Sequence, residues 1–211
     1  MQRTSSPAAN ACNVLKGEEV NSFAQAVSQW SDGRIDLLVN NAGQGRVSDF
    51  AQTSDDAWRE ELELKIFSQV LPVRAFKALL DASDAPAIVA VNSLLAVQPE
   101  PHMVCTSAAR AGVLNLVKSL AAEFAPHIRV NSILLGLVDS GQWQRRFAAR
   151  SDKAQSREDW YADLARAKAI PLQRLGRPEE AARAIVYLGS TAASYVTGTS
   201  IEVSGGLSRF I

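Results

Sequence analysis

The sequence predicts an α/β fold built on a parallel sheet, because short apolar runs alternate with longer segments of helical periodicity along the chain. Three apolar runs indicate the sheet, namely "DLLVN", "APAIVAVNS" and "IRVNSILLG". The segments between them repeat apolar residues every three or four positions, as one face of a helix does. This alternation is typical of parallel strands in a sheet that helices cover on both faces.

Three elements are predicted in the first part of the chain. "ACNVL" at 11–15 is a short strand candidate, and "GEEVNSFAQAVSQW" at 17–30 is a helix. The apolar face of that helix consists of Val20, Phe23, Val27 and Trp30. "RIDLLVNNAG" at 34–43 then predicts a buried strand that ends in a turn.

A long helix is predicted to begin after Thr53 or Ser54, because a hydroxyl caps the free amides of a helix start and the acids that follow suit its positive end. Its apolar residues at helical spacing are Trp58, Leu62, Ile66 and Val70. Pro72 is expected to kink or divide this helix. The strand "APAIVAVNS" follows, and residues 100–126 then predict a second long helix. The apolar stripe of this helix is Val113, Val117, Leu120 and Phe124.

The last third of the chain continues the alternation. "IRVNSILLG" is a strand, "RPEEAARAIVYLGS" is a helix with proline in its first turn, and "TSIEVSGG" is the last strand. Between the first two lies a long insertion at 140–171, which is predicted to be helical in parts. Its aromatic residues are Trp143, Phe147, Trp160 and Tyr161. Since no linker is evident, residues 1–211 are expected to form one domain.

The composition excludes several classes of function. Lys plus Arg and Asp plus Glu number 22 each, so no overall charge draws the chain to nucleic acid or to an acidic membrane. Cys12 and Cys105 belong to no metal-binding spacing, and free thiols of this kind are typical of a reducing compartment. No apolar run approaches the roughly 20 residues that span a bilayer, and "MQRTSSPAANA" lacks the apolar core of a signal peptide. We therefore expect a cytoplasmic protein with no metal and no membrane contact.

Four motifs occur in a fixed order. They are "NNAG" at 40–43, Ser93 at the end of "IVAVNS", "NSILLGLVDS" at 131–140, and "YVTGTSIEVSGG" at 195–206. With this order and spacing, residues 11–206 resemble the short-chain dehydrogenase/reductase family. The resemblance implies a Rossmann-like sheet and an NAD- or NADP-dependent oxidoreductase that acts on small alcohols or carbonyls. It also implies a homodimer or homotetramer that assembles through the helices at 57–80 and 102–124.

The resemblance assigns positions to the family's catalytic residues. In the family, a tyrosine supplies a proton, a lysine one helical turn later lowers the pKa of the phenol, and a serine holds the substrate oxygen. Ser93 matches that serine, and Thr106, thirteen residues later, stands in the tyrosine's place. Arg110 stands in the lysine's place, and Lys65 where the family has an asparagine of the proton relay. Three of these four positions therefore differ from the family pattern.

These differences remove the usual proton donor. Threonine has no usable acidity near neutral pH, and arginine keeps its charge but does not release its proton. Lys65 is one candidate for a substitute acid; alternatively it pairs with Glu61 or Glu63, or points to solvent. His102 is a second candidate, because a histidine titrates near neutral pH, although it also suits an ordinary loop position.

The cofactor site implied by the resemblance is incomplete. The family's glycine-rich turn, whose amides hold the pyrophosphate, should precede residue 11, but no glycine occurs before Gly17. Roughly the first fifty residues of the family pattern are absent, so the fold is expected to be N-terminally truncated. The residue that selects NAD or NADP falls in that absent part. The implied cofactor residues that remain are Asn13, Asn40, Ala42 and Gly43 on the adenosine side, and Gly136, Leu137, Val138 and Ser140 at the nicotinamide.

Two classes of function remain open at this point. The first is an oxidoreductase that uses Ser93 and a substitute acid, with residues 140–171 as a substrate lid. Alternatively, residues 140–171 form a helical flap whose aromatic residues pack in the core. The second is a non-catalytic or truncated relative with a role in oligomerisation or as a scaffold.

Overall fold

A computed structural model describes residues 11–209, and the expectation about a signal peptide concerns residues that lie mostly outside this range. Within residues 11–209 the sheet has four strands, β1 (Leu37–Asn40), β2 (Ala87–Ser93), β3 (Arg129–Leu135) and β4 (Ser200–Val203). They lie in the order β1-β2-β3-β4, and every pair is parallel. The predicted parallel sheet is therefore confirmed. Because all strands run the same way, their carboxyl ends meet at one edge.

Six α-helices connect or flank these strands in the described part of the chain. They are α1 (Gly17–Trp30), α2 (Asp55–Asp81), α3 (Val104–Glu123), α4 (Gly141–Ala149), α5 (Arg157–Ala167) and α6 (Pro178–Gly189). Ser54 is the cap of α2, and its side chain accepts a hydrogen bond from the amide of Ala57. α2 continues through Pro72 without a break, so the prediction that this proline could divide the helix was wrong. A proline removes one backbone donor, and the buried face of α2 is continuous on both sides of it.

Helices cover both faces of the sheet, as the fold class predicts. Ile88 and Ala90 of β2 pack against α2 and α3, together with Val113 of α3. Val89 and Val91 of the same strand point to the opposite face, where α6 packs on them. Successive side chains of a strand alternate between the two faces. The short strand β2 thus forms part of two hydrophobic clusters and is buried along almost all of its length.

The predicted strand at 11–15 is not a strand in the structure. Asn13 forms a local turn there: its side chain accepts a hydrogen bond from the amide of Leu15, and its own amide donates to Glu19. A strand needs a neighbour with which to share backbone hydrogen bonds, and within residues 11–209 β1 pairs only with β2. Val39 of β1 is consequently 37% exposed. An apolar run alone did not determine the conformation of this segment.

Hydrogen bonds to the carboxylate of Glu180 fix the start of α6. Both carboxylate oxygens of Glu180 accept hydrogen bonds from the Arg174 guanidinium, at 2.8 and 2.7 Å, and the backbone amide of Arg177 donates to the same carboxylate. These contacts lower the pKa of Glu180 to about 2, and the hydrogen bonds from the Arg174 guanidinium have the largest effect. A carboxylate near the positive end of a helix dipole is also favoured.

We predict that Glu180 contributes stability in a defined acidic window. A carboxyl group whose pKa is lower in the folded than in the unfolded protein stabilises the fold above its unfolded pKa. That contribution is lost as the pH falls from about 4.5 towards about 2. Thermal unfolding of Glu180→Gln should therefore show a lower midpoint than the native chain at pH 7 and an equal one near pH 2. Glu179→Gln, an exposed neighbour in the same turn, should show no such difference. Equal midpoints of Glu180→Gln and the native protein at pH 7 would contradict this role.

Candidate active site

A cavity of ≈ 760 Å³ lies at the edge where the carboxyl ends of the strands meet. In open α/β sheets this edge is where ligands bind. The predicted site residues that line the cavity are Ser93, Thr106, Arg110, Gly43, Gly136, Leu137, Val138 and Ser140. Asn40 and Ala42 line a smaller cavity of ≈ 210 Å³ that also borders β1. Asn13 and Lys65 line neither of these cavities.

Ser93 is the last residue of β2, and its hydroxyl lies at the wall of the large cavity. The hydroxyl is 3.4 Å from the carbonyl oxygen of Leu135 on β3, to which it donates. It also accepts the backbone amide of Leu95 at 3.3 Å, which caps the short 3₁₀ turn after the strand. Both distances are long for hydrogen bonds that involve a hydroxyl. The hydroxyl can therefore exchange its weak donor bond for one to a substrate oxygen.

Thr106 occupies the third position of α3 and is 1% exposed. Its hydroxyl donates to the Glu61 carboxylate at 2.6 Å and accepts the backbone amide of Arg46 at 3.0 Å. The hydroxyl is therefore held on the α2 side of the cavity wall. Sequence reasoning did not identify Glu61 as a partner of Thr106, because a glutamate on a helix usually faces solvent.

Lys65 lies one helical turn after Glu61 and forms a buried ion pair with it. The two side chains are 1% and 2% exposed, and the Lys65 ammonium is 2.8 Å from the nearer carboxylate oxygen. The ammonium also donates to the carbonyl oxygen of Gln44 at 2.6 Å. Burial lowers the pKa of Lys65, while the hydrogen bond to Glu61 acts in the opposite direction. Of the alternatives that the sequence left open for Lys65, the structure contains the pairing with Glu61.

Arg110 brings a positive charge to the cavity wall. One of its guanidinium nitrogens donates to the carbonyl oxygen of Val91 at 2.9 Å. A second guanidinium nitrogen lies next to Gly43. If Gly43 had a Cβ atom, that atom would be 3.6 Å from this nitrogen. Burial lowers the pKa of Arg110, and the nearby Glu61 carboxylate partly offsets this effect. An arginine remains protonated at any working pH, so Arg110 supplies charge and hydrogen bonds but no proton.

His102 is exposed and lies outside the lining of both cavities. Its backbone has a positive φ of 61°, and its carbonyl oxygen accepts the amide of Ser48. This backbone conformation is uncommon for residues other than glycine. The contacts of His102 are those of a turn that precedes α3.

The loop at 136–140 is held firmly at the mouth of the cavity. The Gly136 amide donates to Val203 at the end of β4, and the Asp139 amide donates to Gly176. A Cβ atom on Gly136 would lie 2.9 Å from the Cα atom of Ser204, so only glycine fits this close approach. The loop and Gly43 offer backbone groups and the Ser140 hydroxyl to a flat ring such as nicotinamide. Residues 11–209 thus fit the nicotinamide end of a dinucleotide, but they contain no glycine-rich turn of the family's type for its pyrophosphate.

The insertion at 140–171 contains α4, which lines one side of the cavity, and α5, which packs against α4. Its aromatic rings form a cluster in which Trp160 lies 6.2 Å from Trp143, 5.7 Å from Phe147 and 5.5 Å from Tyr161. Trp143 is half-buried and lines the cavity. The Tyr161 hydroxyl donates to Asp139 at 2.6 Å, which ties α5 to the loop at 136–140. Burial, reinforced by Asp139, raises the pKa of Tyr161 to about 12, so this phenol is no source of a proton near neutral pH.

A parallel sheet with helices on both faces, and a cavity at the carboxyl edge of that sheet, are the features of a Rossmann-type α/β protein. A sequence model described as enoyl-(acyl carrier protein) reductase matches residues 1–208. The chain belongs to the short-chain dehydrogenase/reductase family. Within residues 11–209, no helix combines the length and apolar character needed to cross a membrane.

Several relatives support the assignment. The chain is 59% identical to an NADPH-bound short-chain oxidoreductase of Pseudomonas aeruginosa PAO1 with an atypical catalytic centre, at a TM-score of 0.90. The match covers 96% of this chain and 77% of that structure. L-sorbose reductase of Gluconobacter frateurii, in complex with NADPH and L-sorbose, is 29% identical with a TM-score of 0.88, over 95% of this chain and 76% of that one. The chain is 33% identical to 3beta-hydroxysteroid dehydrogenase 1 of Eggerthella lenta, over 96% of this chain and 74% of that protein.

We predict that the Glu61–Lys65 pair is critical for stability. Removing one partner of a buried ion pair typically costs about 3–5 kcal/mol, because the other charge is left buried and uncompensated. Glu61→Ala should lower the free energy of unfolding by about that amount in urea denaturation. Glu63→Ala, exposed on the same helix, should change it by at most about 0.5 kcal/mol. The double variant Glu61→Met with Lys65→Met should recover most of the loss. If Glu61→Ala and Glu63→Ala are equally stable, the pair is not buried in solution.

Proposed function

We propose that this protein is an NAD- or NADP-dependent oxidoreductase that acts on small alcohols or carbonyls with an altered proton donor. The observation that carries this proposal is that Ser93, Thr106 and Arg110 line one cavity together with Gly43 and the loop at 136–140. The 59% identity to an NADPH-bound oxidoreductase with an atypical catalytic centre supports it. When bound, the cofactor supplies or accepts the hydride.

The side chains have separate tasks in this proposal. Ser93 exchanges its long bond to Leu135 for a hydrogen bond to the substrate oxygen. Arg110 stabilises the negative charge that develops on that oxygen during reduction, since a charge that is already fixed in place needs no reorganisation at the moment of reaction. In the reverse direction, the same groups bind the alcohol and stabilise the developing alkoxide.

In this proposal the proton reaches the substrate from Lys65 through Glu61 and Thr106, and the contacts among these three side chains support the path. Lys65 contacts Glu61 at 2.8 Å, Glu61 contacts Thr106 at 2.6 Å, and Thr106 lines the cavity. The Thr106 hydroxyl, which donates to Glu61 in the structure, turns towards the cavity and gives its proton to the substrate alkoxide. The Thr106 oxygen regains a proton that passes from the Lys65 ammonium through the Glu61 carboxylate. The lowered pKa of Lys65 favours this release. Thr106 thus conducts a proton although it is not itself acidic.

A test of this function uses the hydroxyl of Thr106. With NADPH or NADH and a panel of ketones and aldehydes, Thr106→Val should lower kcat by about 10²–10⁴-fold, the usual contribution of general acid catalysis. Thr106→Ser, which keeps the hydroxyl, should retain most of the activity. The measurement is the loss of cofactor absorbance, with cofactor affinity measured separately by fluorescence titration.

Two results would contradict the proposal. If Thr106→Val turns over as fast as the native protein with unchanged cofactor affinity, the relay through Thr106 is wrong. If the native protein binds cofactor but turns over no member of the panel, while Thr106→Tyr with Arg110→Lys does, the native site does not perform the reaction. The second outcome favours a non-catalytic relative.

A non-catalytic role in assembly is the second candidate, and the surface of α2 favours it. Leu62 and Phe67 are 42% and 45% exposed, so α2 has apolar side chains that residues 11–209 leave uncovered. Val113 and Val117 of α3, in contrast, are buried in the core and are not available to a second copy. We propose a homodimer or homotetramer that includes α2, in a cytoplasmic setting that suits the free thiols Cys12 and Cys105.

We predict that a charge on this surface weakens assembly. A stable interface buries at least about 1,000 Å², and a glutamate in its apolar centre would lose its hydration on association. Phe67→Glu should therefore shift the mass measured by light scattering at micromolar concentration towards the monomer. Val47→Glu, at a loop position that is also exposed, serves as the control and should leave the mass unchanged. A native protein that is already monomeric would contradict the proposed assembly.

A further inference from the structure

Four charged side chains line the large cavity, and they are not balanced. The three cationic residues are Arg110, Arg146 and Lys168, and the anionic residue is Glu100. Lys168 and Glu100 neutralise each other through an ion pair of 2.6 Å. Arg110 donates to the carbonyl oxygen of Val91, and its charge serves the reacting oxygen in the proposed function. The charge of Arg146 is therefore left for another partner.

Arg146 lies in the last turn of α4, on the lid side of the cavity. Among residues 11–209, no carboxylate lies within 4 Å of its guanidinium. Its contact is with Trp143, whose ring centroid is 4.7 Å from the guanidinium carbon. Stacking on an aromatic face holds a guanidinium in place and leaves its N–H groups free to bind an anion.

The aromatic ring that holds Arg146 is itself well supported. Trp143 packs against Trp160 of α5 and against a buried cluster that includes Leu94 and Leu207. A side chain that is already ordered loses little conformational entropy when a ligand binds. The cavity lining also has apolar residues, among them Leu95 and Met103. These features suit a ligand with a short apolar part and one anionic group.

We propose that Arg146 forms a carboxylate-binding subsite, and that the substrates of this cavity are small oxo or hydroxy acids. The planar guanidinium matches a carboxylate with two parallel hydrogen bonds. The reacting carbon belongs near Ser93, and the carboxylate belongs at the lid side. The subsite extends the proposed function by naming the substrate class, but binding of the acid requires neither cofactor nor turnover.

The experiment measures binding by isothermal titration calorimetry on the purified protein, with and without NADPH. The probes are 5-oxohexanoate, in which a short methylene chain separates the ketone from the carboxylate, and its methyl ester, which keeps the chain and the ketone but has no charge. Arg146→Gln should weaken binding of the acid by about 10- to 100-fold, as expected for a lost hydrogen bond between charged groups. Binding of the ester should be the same in the variant and in the native protein.

Arg145→Gln is the matched control. Arg145 is exposed, as Arg146 is, but its guanidinium lies near Gly141 in the first turn of α4 and it does not line the cavity. The control should bind the acid as the native protein does. Equal weakening by both variants would show a general effect of surface charge and overturn the proposal, as would native protein that binds acid and ester equally.

The role of Arg146 can also be separated from that of the cofactor. If Arg146→Gln weakens binding of NADPH and leaves binding of the acid unchanged, the guanidinium belongs to the cofactor site and the substrate proposal is wrong. If the native protein binds the acid through Arg146 but no NADPH, the subsite stands and the proposed oxidoreductase function fails.

Discussion

The parallel direction of all four strands is the constraint on which the site depends. In a parallel sheet every strand ends at the same edge, so side chains and loops that follow different strands meet there although they are far apart in the sequence. Ser93 ends β2, the loop at 136–140 follows β3, and Gly43 follows β1. Val203 of β4 accepts a hydrogen bond from Gly136 and so fixes that loop. An antiparallel partner at any of these positions would send one group to the opposite edge.

The buried pair of Glu61 and Lys65 adds a second layer behind that edge. An ammonium and a carboxylate are kept out of water between the sheet edge and α2, where an unpaired charge would be very unfavourable. Their spacing of one helical turn allows both to point inwards from the same helix. Thr106 connects the pair to the cavity, and this threonine is small enough for a carboxylate to approach its hydroxyl. Thr106 stands where the family has its catalytic tyrosine. In this chain the position is accompanied by a buried polar network, because Thr106 contacts Glu61 and Glu61 contacts Lys65.

Much of the fold follows from local sequence patterns, and the exceptions have identifiable causes. The long apolar runs predict β2 and β3, and the helical periodicity predicts α1, α2, α3 and α6. Residues 11–15 have the composition of a strand but lack a neighbouring strand within the described chain, and the side chain of Asn13 stabilises a turn instead. No local pattern predicts such a result, because strand pairing is a property of residues distant in the sequence.

The candidate site was predictable in its position and less so in its contacts. Ser93, Thr106 and Arg110 share a cavity, as their order and spacing suggested. The pairing of Lys65 with Glu61 was one of the alternatives that "ELELK" offered, but the contact of Glu61 with Thr106 was missed, because the sequence does not tell which face of α2 is buried. The apolar residues Leu62 and Phe67 lie towards the surface while Glu61 and Lys65 are inside, which is the reverse of what hydrophobicity alone indicates.

The aromatic cluster of the insertion gives the molecule an internal optical reporter. Two of the four tryptophans, Trp143 and Trp160, lie next to each other between α4 and α5, and Tyr161 is in contact with the second of them. Excitation of Tyr161 will be transferred to Trp160 over such a short distance, and the emission of both indoles depends on how much water reaches them. Any displacement of α4 relative to α5 separates these rings and changes their emission. Motion of the segment that covers the cavity is therefore visible in the native protein without an added label.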